Sequence, residues 1–279
     1  MAPSSHPLPK SLLFLGVGNM GGAILSSILS KNCLQDTNII LIEPREEAVS
    51  AFLSKRENIS HVRSSSELDK IFKANALLIA VKPQASSKLC AGLTKHLTDE
   101  AEIISVMAGR SLTSTKQDLN EAPDSKRRYV RAMPNLPLSI QKGVTTIYSE
   151  SSPSYLAETI FSSGGETVSV ESEKLIDAAT AISGSGPGFT FHLLQGAIEA
   201  ARELGFSEVE SKALVANTAQ GALELYLKSE KDLSELEAQV TSKRGTTEAG
   251  ISALQSKDAK DTVKNCIIAA YNRALELHS

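Results

Sequence analysis

The sequence predicts an α/β fold in two parts, a parallel sheet with helical crossovers followed by an all-helical half. Three observations carry this expectation. Short apolar runs recur between residues 12 and 148 with helix-length segments between them, the rhythm of strands joined by right-handed crossovers. After about Val170 the strand pattern stops, and apolar residues return at helical spacing, as at Leu193, Leu194, Ala197, Ala200, Ala201 and Leu204. The chain has 279 residues, enough for two domains with cores of their own.

Taken in order, residues 12–16 read as the first strand and 21–30 as its helix. Residues 39–43 form the second strand and 46–55 the next helix. A short third strand spans 59–62, a fourth 77–81, a fifth 102–106, another 129–131 and a later one 144–148. From Glu173 onward only helices are expected, at 187–204, 233–240 and 248–255 among others, with Gly205 and Gly245 as punctuation. The expected division is a tail at 1–10, a sheet domain at 11–170 and a helical domain at 171–279. Pro187 suits the first turn of its helix. The alanines and leucines around that helix suggest two buried faces, one against the sheet domain and one against a second subunit, which makes the helical half a dimerisation domain.

The first strand runs straight into Gly16-Val-Gly18-Asn-Met-Gly21. Gly16 allows the tight turn, Gly18 lets backbone N–H groups approach a pyrophosphate, and Gly21 lets the helix pack on the strand. A structural glycine turn would look similar on its own. The second strand, however, ends in Glu43, 22 residues after Gly21, where an acid grips the adenosine ribose of a dinucleotide. The first half is therefore expected to be a Rossmann-type dinucleotide-binding domain. Ligands of such sheets lie outside the carboxyl ends of the strands, so Gly16 to Gly21, Glu43, Lys82-Pro83, Ala108-Gly109 and Asn135 should line one rim.

Composition narrows the partners. With 22% charged residues and a formal net charge of −3, neither nucleic acid nor a membrane surface is expected. No apolar run approaches the ~18 residues of a membrane span. Residues 1–10 hold three prolines and no apolar core, so they read as a frayed tail rather than a signal peptide. Cys33, Cys90 and Cys266 are widely spaced and read as reduced, mostly buried thiols of a cytoplasmic protein. The five histidines show no metal-ligand spacing, and no metal is expected.

Two loops of the helical half stand out. Ser183-Gly-Ser-Gly-Pro187-Gly188 reads equally well as a break between helices or as a functional turn. Thr241-Ser-Lys-Arg-Gly245-Thr-Thr247 gathers hydroxyls and glycine at a helix start, where unpaired N–H groups stabilise an anion. An ordinary cap by Thr246 or Thr247 is the plainer alternative.

Together with Val81-Lys-Pro83, Arg131-Ala-Met-Pro-Asn-Leu-Pro137 and Ala181-Ile-Ser-Gly-Ser-Gly-Pro187, the glycine turn and Val240-Thr-Ser-Lys-Arg-Gly-Thr-Thr-Glu-Ala249 occur in the order found in pyrroline-5-carboxylate reductases. The chain resembles that family from about Leu12 to Leu277. The resemblance implies an enzyme that reduces 1-pyrroline-5-carboxylate to L-proline with NADPH or NADH, the last step of proline biosynthesis. It implies helical halves that interlock as a dimer, with dimers assembling into rings of five, and a substrate between the nicotinamide and the hydroxyl-rich loop. Ser242, Gly245 and Thr246 match positions that hold the substrate carboxylate. Thr247 matches the catalytic hydroxyl at the ring nitrogen, and Val240 a contact beside it. Asn19 and Met20 match the pyrophosphate turn. Ala80, Val81, Lys82 and Pro83 match the strand end over the nicotinamide ribose, with Ala108 and Gly109 further along the rim. Met133 and Asn135 match positions beside the nicotinamide.

The chain departs from the family's pattern in three places. Lys243 and Arg244 replace a Pro-Gly pair, so Arg244 must accept backbone angles suited to glycine, and both cations are expected to face solvent. Leu136 stands where threonine is usual. Glu43-Pro-Arg45 ends the second strand, and the expectation is that Glu43 accepts the ribose hydroxyls, Arg45 offsets it toward a 2′-phosphate, and both cofactors serve.

The chemistry needs little from the protein. A protonated cyclic imine is already electrophilic, so holding donor and acceptor carbons in near-attack geometry and excluding water is the main task. A hydroxyacid dehydrogenase is the nearest rival, but the helix at 187–204 lacks the lysine those enzymes use. His192 on that helix reads as a hydrogen-bonded core residue. A non-catalytic NAD(P)H-binding protein is the other alternative.

Overall fold

The computed structural model describes residues 7–277; residues 1–6 of the expected tail, with His6 and His278, lie outside the described residues. Among the described residues there are eight strands: β1 (Ser11–Leu15), β2 (Asn38–Ile42), β3 (Ile59–Val62), β4 (Ala74–Ile79), β5 (Leu97–Ser105), β6 (Arg128–Met133), β7 (Gly143–Ser149) and β8 (Gly165–Ser169). Helices α1 (Asn19–Ser30), α2 (Glu46–Leu53), α3 (Ser86–Cys90), α4 (Leu112–Asp118), α5 (Tyr155–Ser162) and α6 (Lys174–Ala179) accompany them. A π-helical segment, Thr180–Gly184, follows α6. Five helices follow among the described residues: α7 (Gly186–Glu203), α8 (Glu208–Lys228), α9 (Leu233–Val240), α10 (Thr246–Ser256) and α11 (Ala259–Glu276).

Contacts divide the chain into two compact units. One holds residues up to Ser185 together with the C-terminal residues from Ala270; the other is Gly186–Ala269. By contacts, α6 and the π-helical segment group with the sheet, because α6 is held by it. Arg131 of β6, 1% exposed, donates to Glu173 Oε1 at 3.2 Å and to Asp177 Oδ1 at 2.6 Å. The same Glu173 oxygen accepts the Leu112 N–H at the start of α4 at 2.7 Å.

In the first unit the strands form one sheet in the order β3-β2-β1-β4-β5-β6-β7-β8. All neighbours are parallel except β6 and β7. The expected all-parallel sheet therefore carries one antiparallel step. Strand β1 shows why its run is unbroken: Leu12 and Phe14 enter the core under α1 and α5, while Leu13 and Leu15 enter the core on the other face with Leu93 and Leu112. Successive side chains of a strand point to opposite faces, and both faces here are covered. The fourth strand lies at 74–79, ending before Ala80, and the fifth begins already at Leu97. Strand β8 was not expected. Residues 9–10 are anchored rather than frayed, with Thr37 Oγ1 donating to Pro9 O and the Asn38 N–H to Lys10 O.

In the second unit α7 packs on α8. The starts of α8 and α9 are fixed by capping boxes, Ser207 with Glu210 and Asp232 with Glu235. Ser211 is the one buried residue among positions 186–269. No residue of α7 is buried in the single chain, and His192 is exposed, not a core residue. Leu204 and Leu227 are 80% and 79% exposed. Of the cysteines only Cys90 is buried; Cys33 is half-buried and Cys266 exposed. Among the described residues no helix is long and apolar enough to cross a membrane.

Candidate functional site

The strand order reverses between β1 and β4, and the carboxyl ends of these two strands open the crevice where ligands of such sheets sit. Gly16 turns there with φ +92°, its N–H donating to Ile42 O at 3.0 Å. A Cβ on Gly16 would lie 2.7 Å from Val81 Cγ1, so glycine is demanded by the neighbouring strand. Gly18 differs. It caps α1 with φ −78°, and a Cβ there would meet nothing within 4 Å. The space above it is open, and that is where a diphosphate would approach. Helix α1 has no side-chain cap and no acid in its first turn. Its first N–H groups, on Asn19, Met20 and Gly21, precede the first intrahelical bond, from Gly22 N–H to Gly18 O at 2.7 Å. The three donors and the helix dipole fit an anion.

Four further segments share this rim. Ala80 donates its N–H to Leu15 O at 2.8 Å, which leads Val81, the exposed Lys82 and Pro83 away beside Gly16. Ser86 Oγ donates to Pro83 O at 2.8 Å and to Asp118 Oδ2 at 2.6 Å. Asp118 in turn accepts Arg110 Nη2 at 2.7 Å, so one carboxylate ties the loop after β4 to the loop after β5. In that second loop Gly109 has φ +69° and packs on Leu277. Met133 ends β6, and its Cε abuts Gly184. Asn135 is 8% exposed, and its carboxamide is spent on the fold: Oδ1 accepts the Val144 N–H at 2.9 Å and Nδ2 donates to Ser183 O at 3.0 Å. It positions the segment beside Met133.

Glu43 corrects an expectation. It reaches the rim, but its carboxylate is 4% exposed and faces inward. Oε2 accepts the Val17 N–H at 2.8 Å; Oε1 accepts Arg45 Nε at 2.7 Å and the Arg45 N–H at 3.3 Å. Burial pushes this carboxyl up, but the Arg45 hydrogen bond, the two backbone N–H donors and the Arg45 charge hold it below the usual carboxylate range. His61 Nε2 lies 2.7 Å from Glu43 O and fixes the backbone there. Nothing in the sequence reveals that Arg45 would fold back over its neighbour.

The second unit holds the other candidates, Val240, Ser242, Gly245, Thr246 and Thr247. Helix α10 starts at Thr246, two residues earlier than expected, and its cap is Gly245, not a threonine. A Cβ on Gly245 would lie 2.3 Å from Ser242 Oγ, so the Ser242 hydroxyl occupies the space a side chain would need. The Gly245 N–H donates to Ser242 O at 2.9 Å, and Glu248 Oε2 accepts the Arg244 N–H at 2.6 Å. That leaves the first-turn N–H groups of Thr246, Thr247 and Glu248 for an anion, beside the Thr247 hydroxyl. Arg244 adopts φ +58°, the left-handed conformation its place in the loop requires, and both Lys243 and Arg244 are exposed.

Two family profiles match: pyrroline-5-carboxylate reductase dimerisation over residues 173–277, and NADP oxidoreductase, coenzyme F420-dependent, over residues 11–109. The pyrroline-5-carboxylate reductase of Pseudomonas aeruginosa is 32% identical over 270 residues, covering 95% of this chain and 96% of its own. The chain belongs to the pyrroline-5-carboxylate reductase family. The reductase of Staphylococcus epidermidis is 31% identical over 95% of this chain and 97% of its own. Among solved structures, a pyrroline-5-carboxylate reductase from Coxiella burnetii superposes with a TM-score of 0.84 at 29% identity, covering 96% of this chain and 98% of its own. A Plasmodium falciparum pyrroline carboxylate reductase with NADP bound gives 0.81 at 26% identity, with the same coverage. Like other reductases of this family, the chain is an NAD(P)H oxidoreductase with a Rossmann-type sheet and a helical second half.

Proposed function

We propose that this chain reduces 1-pyrroline-5-carboxylate to L-proline, the last step of proline biosynthesis, in the cytoplasm. The observation that carries the reading is the family relationship over nearly the whole chain, which includes the open cradle above Gly18 and the hydroxyl-rich loop. When bound, the reduced nicotinamide supplies a hydride for the imine carbon. The protein's own part is placement. The N–H groups of Asn19, Met20 and Gly21 hold the diphosphate, while Ala80, Val81, Lys82, Pro83, Ala108, Gly109 and Met133 line the rim toward the nicotinamide. In the second unit the start of α10 takes the substrate carboxylate, with Ser242, Gly245 and Thr246 at the loop, Val240 as an apolar neighbour and the Thr247 hydroxyl on the ring nitrogen. An iminium held this way needs no deep general acid.

The helical half works as a homo-oligomer. Leu204, Val209, Leu223 and Leu227 are more than half exposed in the single chain, and an apolar surface of that kind marks an interface. The dimer is the smallest unit, and rings of five dimers follow from the resemblance. The test is turnover: pyrroline-5-carboxylate should drive loss of nicotinamide absorbance with proline as product. Protein that binds the cofactor but turns over no cyclic imine would overturn the proposal in favour of a non-catalytic binder.

A further inference from the structure

A carboxylate in the last turn of a helix sits at the negative end of the helix dipole and gains nothing from it. Asp118 is the last residue of α4 and is 6% exposed, so its partners must come from elsewhere. They come from two loops. Ser86, at the start of α3 and 1% exposed, donates Oγ to Asp118 Oδ2 at 2.6 Å, and the same hydroxyl lies 2.8 Å from Pro83 O. Arg110, in the loop after β5, brings Nη2 to 2.7 Å from both carboxylate oxygens. The β4–β5 ladder reaches the bond from Val106 N–H to Ile79 O at 3.0 Å; past that point Asp118 joins the two loops. The loop after β5 is fastened at its far end as well, where Leu112 N–H donates to Glu173 Oε1 at 2.7 Å.

We propose that Asp118 is a positioning residue for hydride transfer. It acts through Ser86 and Arg110, setting the separation of Lys82-Pro83 from Ala108-Gly109 at the nicotinamide end of the rim. The inference rests on the reading of that rim as the nicotinamide site and of the reaction as imine reduction. A buried carboxylate whose cation is 28% exposed adds little net stability, because desolvation offsets the attraction. Its effect is geometric: one charged group draws two loops to one point, where neutral contacts would leave each free to shift. Hydride transfer is sensitive to such shifts, since a misplacement of about 1 Å can cost a hundredfold in rate. The diphosphate cradle at the start of α1 is built from other residues and should not feel the change. Loss of the clamp therefore separates the two ends of the cofactor.

The experiment compares two nucleotides on the whole protein: NADPH, and 2′-phospho-ADP-ribose, which lacks the nicotinamide. Calorimetry on Asp118→Ala should show NADPH weakened about fivefold to tenfold and 2′-phospho-ADP-ribose changed less than twofold. With saturating NADPH, kcat should fall about tenfold or more, and the isotope effect from NADPH deuterated at the transferred position should rise as hydride transfer becomes limiting. Asp118→Asn, which keeps an acceptor for Ser86, should recover part of kcat. Thermal melts report folding; if Asp118→Ala does not fold, Ser86→Ala and Arg110→Gln carry the test. Each should show part of the same pattern, and the two together no more than the loss of the carboxylate. Equal weakening of both nucleotides, or a folded variant with wild-type kcat and isotope effect, would overturn the proposal while the cofactor site stands. Wild-type protein that binds NADPH but reduces no cyclic imine overturns the reading of the reaction instead.

Discussion

A Cβ on Gly21 would lie 2.2 Å from the carbonyl oxygen of Gly16. The third glycine of the turn is thus a packing requirement of the strand–helix junction, while the second, Gly18, faces open space at an ordinary φ. The two should separate stability from binding. Gly18→Ala should melt within a few degrees of wild type yet lose roughly tenfold or more in NAD(P)H affinity, because a methyl group intrudes where the diphosphate approaches. Gly21→Ala should lower the melting temperature markedly. Calorimetry with NADPH and thermal melts on both variants check this; a destabilised Gly18→Ala would contradict the assignment.

Thr247→Ala should lower kcat/KM for the cyclic imine by roughly ten- to a hundredfold, the scale of one hydrogen bond to a charged group, and leave NAD(P)H affinity unchanged. Steady-state kinetics with each substrate varied separate these effects. Wild-type turnover in the variant would remove Thr247 from the mechanism.

Arg244 holds a left-handed backbone, at φ +58°, that costs an L-residue about 1–2 kcal/mol. Part of that is offset by the entropy glycine loses on folding. Arg244→Gly should therefore stabilise the protein by roughly 0.5–1 kcal/mol in urea unfolding. No gain would mean that the arginine side chain contributes a contact of its own.

Arg131 and Asp177 are both buried and Glu173 is only partly covered, so removing the cation leaves Asp177 charged in a poorly hydrated place. Arg131→Ala should cost about 3–5 kcal/mol, read from the shift of the urea midpoint. A loss below ~1 kcal/mol would show that α6 is held by packing rather than by charge.

Cys90 is buried beside Asp118; burial first and the Asp118 carboxylate second push its thiol up to about 12. Its thiolate is then scarce at pH 8, and alkylation at that pH should spare Cys90 in the folded protein and modify it after denaturation. Mass spectrometry of the labelled peptides decides; rapid native labelling of Cys90 would contradict its burial.

Much of the sheet was legible because its strands are buried on both faces and so read as unbroken apolar runs, Leu12 to Leu15 above all. Strand β8 was not, because an edge strand of sequence Gly-Glu-Thr-Val-Ser buries little and carries no such run. The antiparallel pairing of β6 and β7 was hidden as well, since apolar periodicity records which residues are covered and not which way the chain runs. Residues 97–101 joined β5 although Asp99 and Glu100 face solvent. At the site, the rim could be anticipated from motif and topology, and the strained Arg244 from a missing glycine. The inward turn of Glu43 could not, because it depends on a hydrogen bond to Val17 from a strand 26 residues away.

Ser211 is the sole buried residue between Gly186 and Ala269, so that half of the chain has no interior until another copy supplies one. Its stability then rises with the logarithm of protomer concentration, and folding and assembly become a single equilibrium. The rate at which the chain is made thereby becomes one of the factors that keep it folded. In a cell making two versions of the chain, a defect in the helices of one would be inherited by the other through mixed assemblies, whereas a defect in the glycine turn would stay with the copy that carries it.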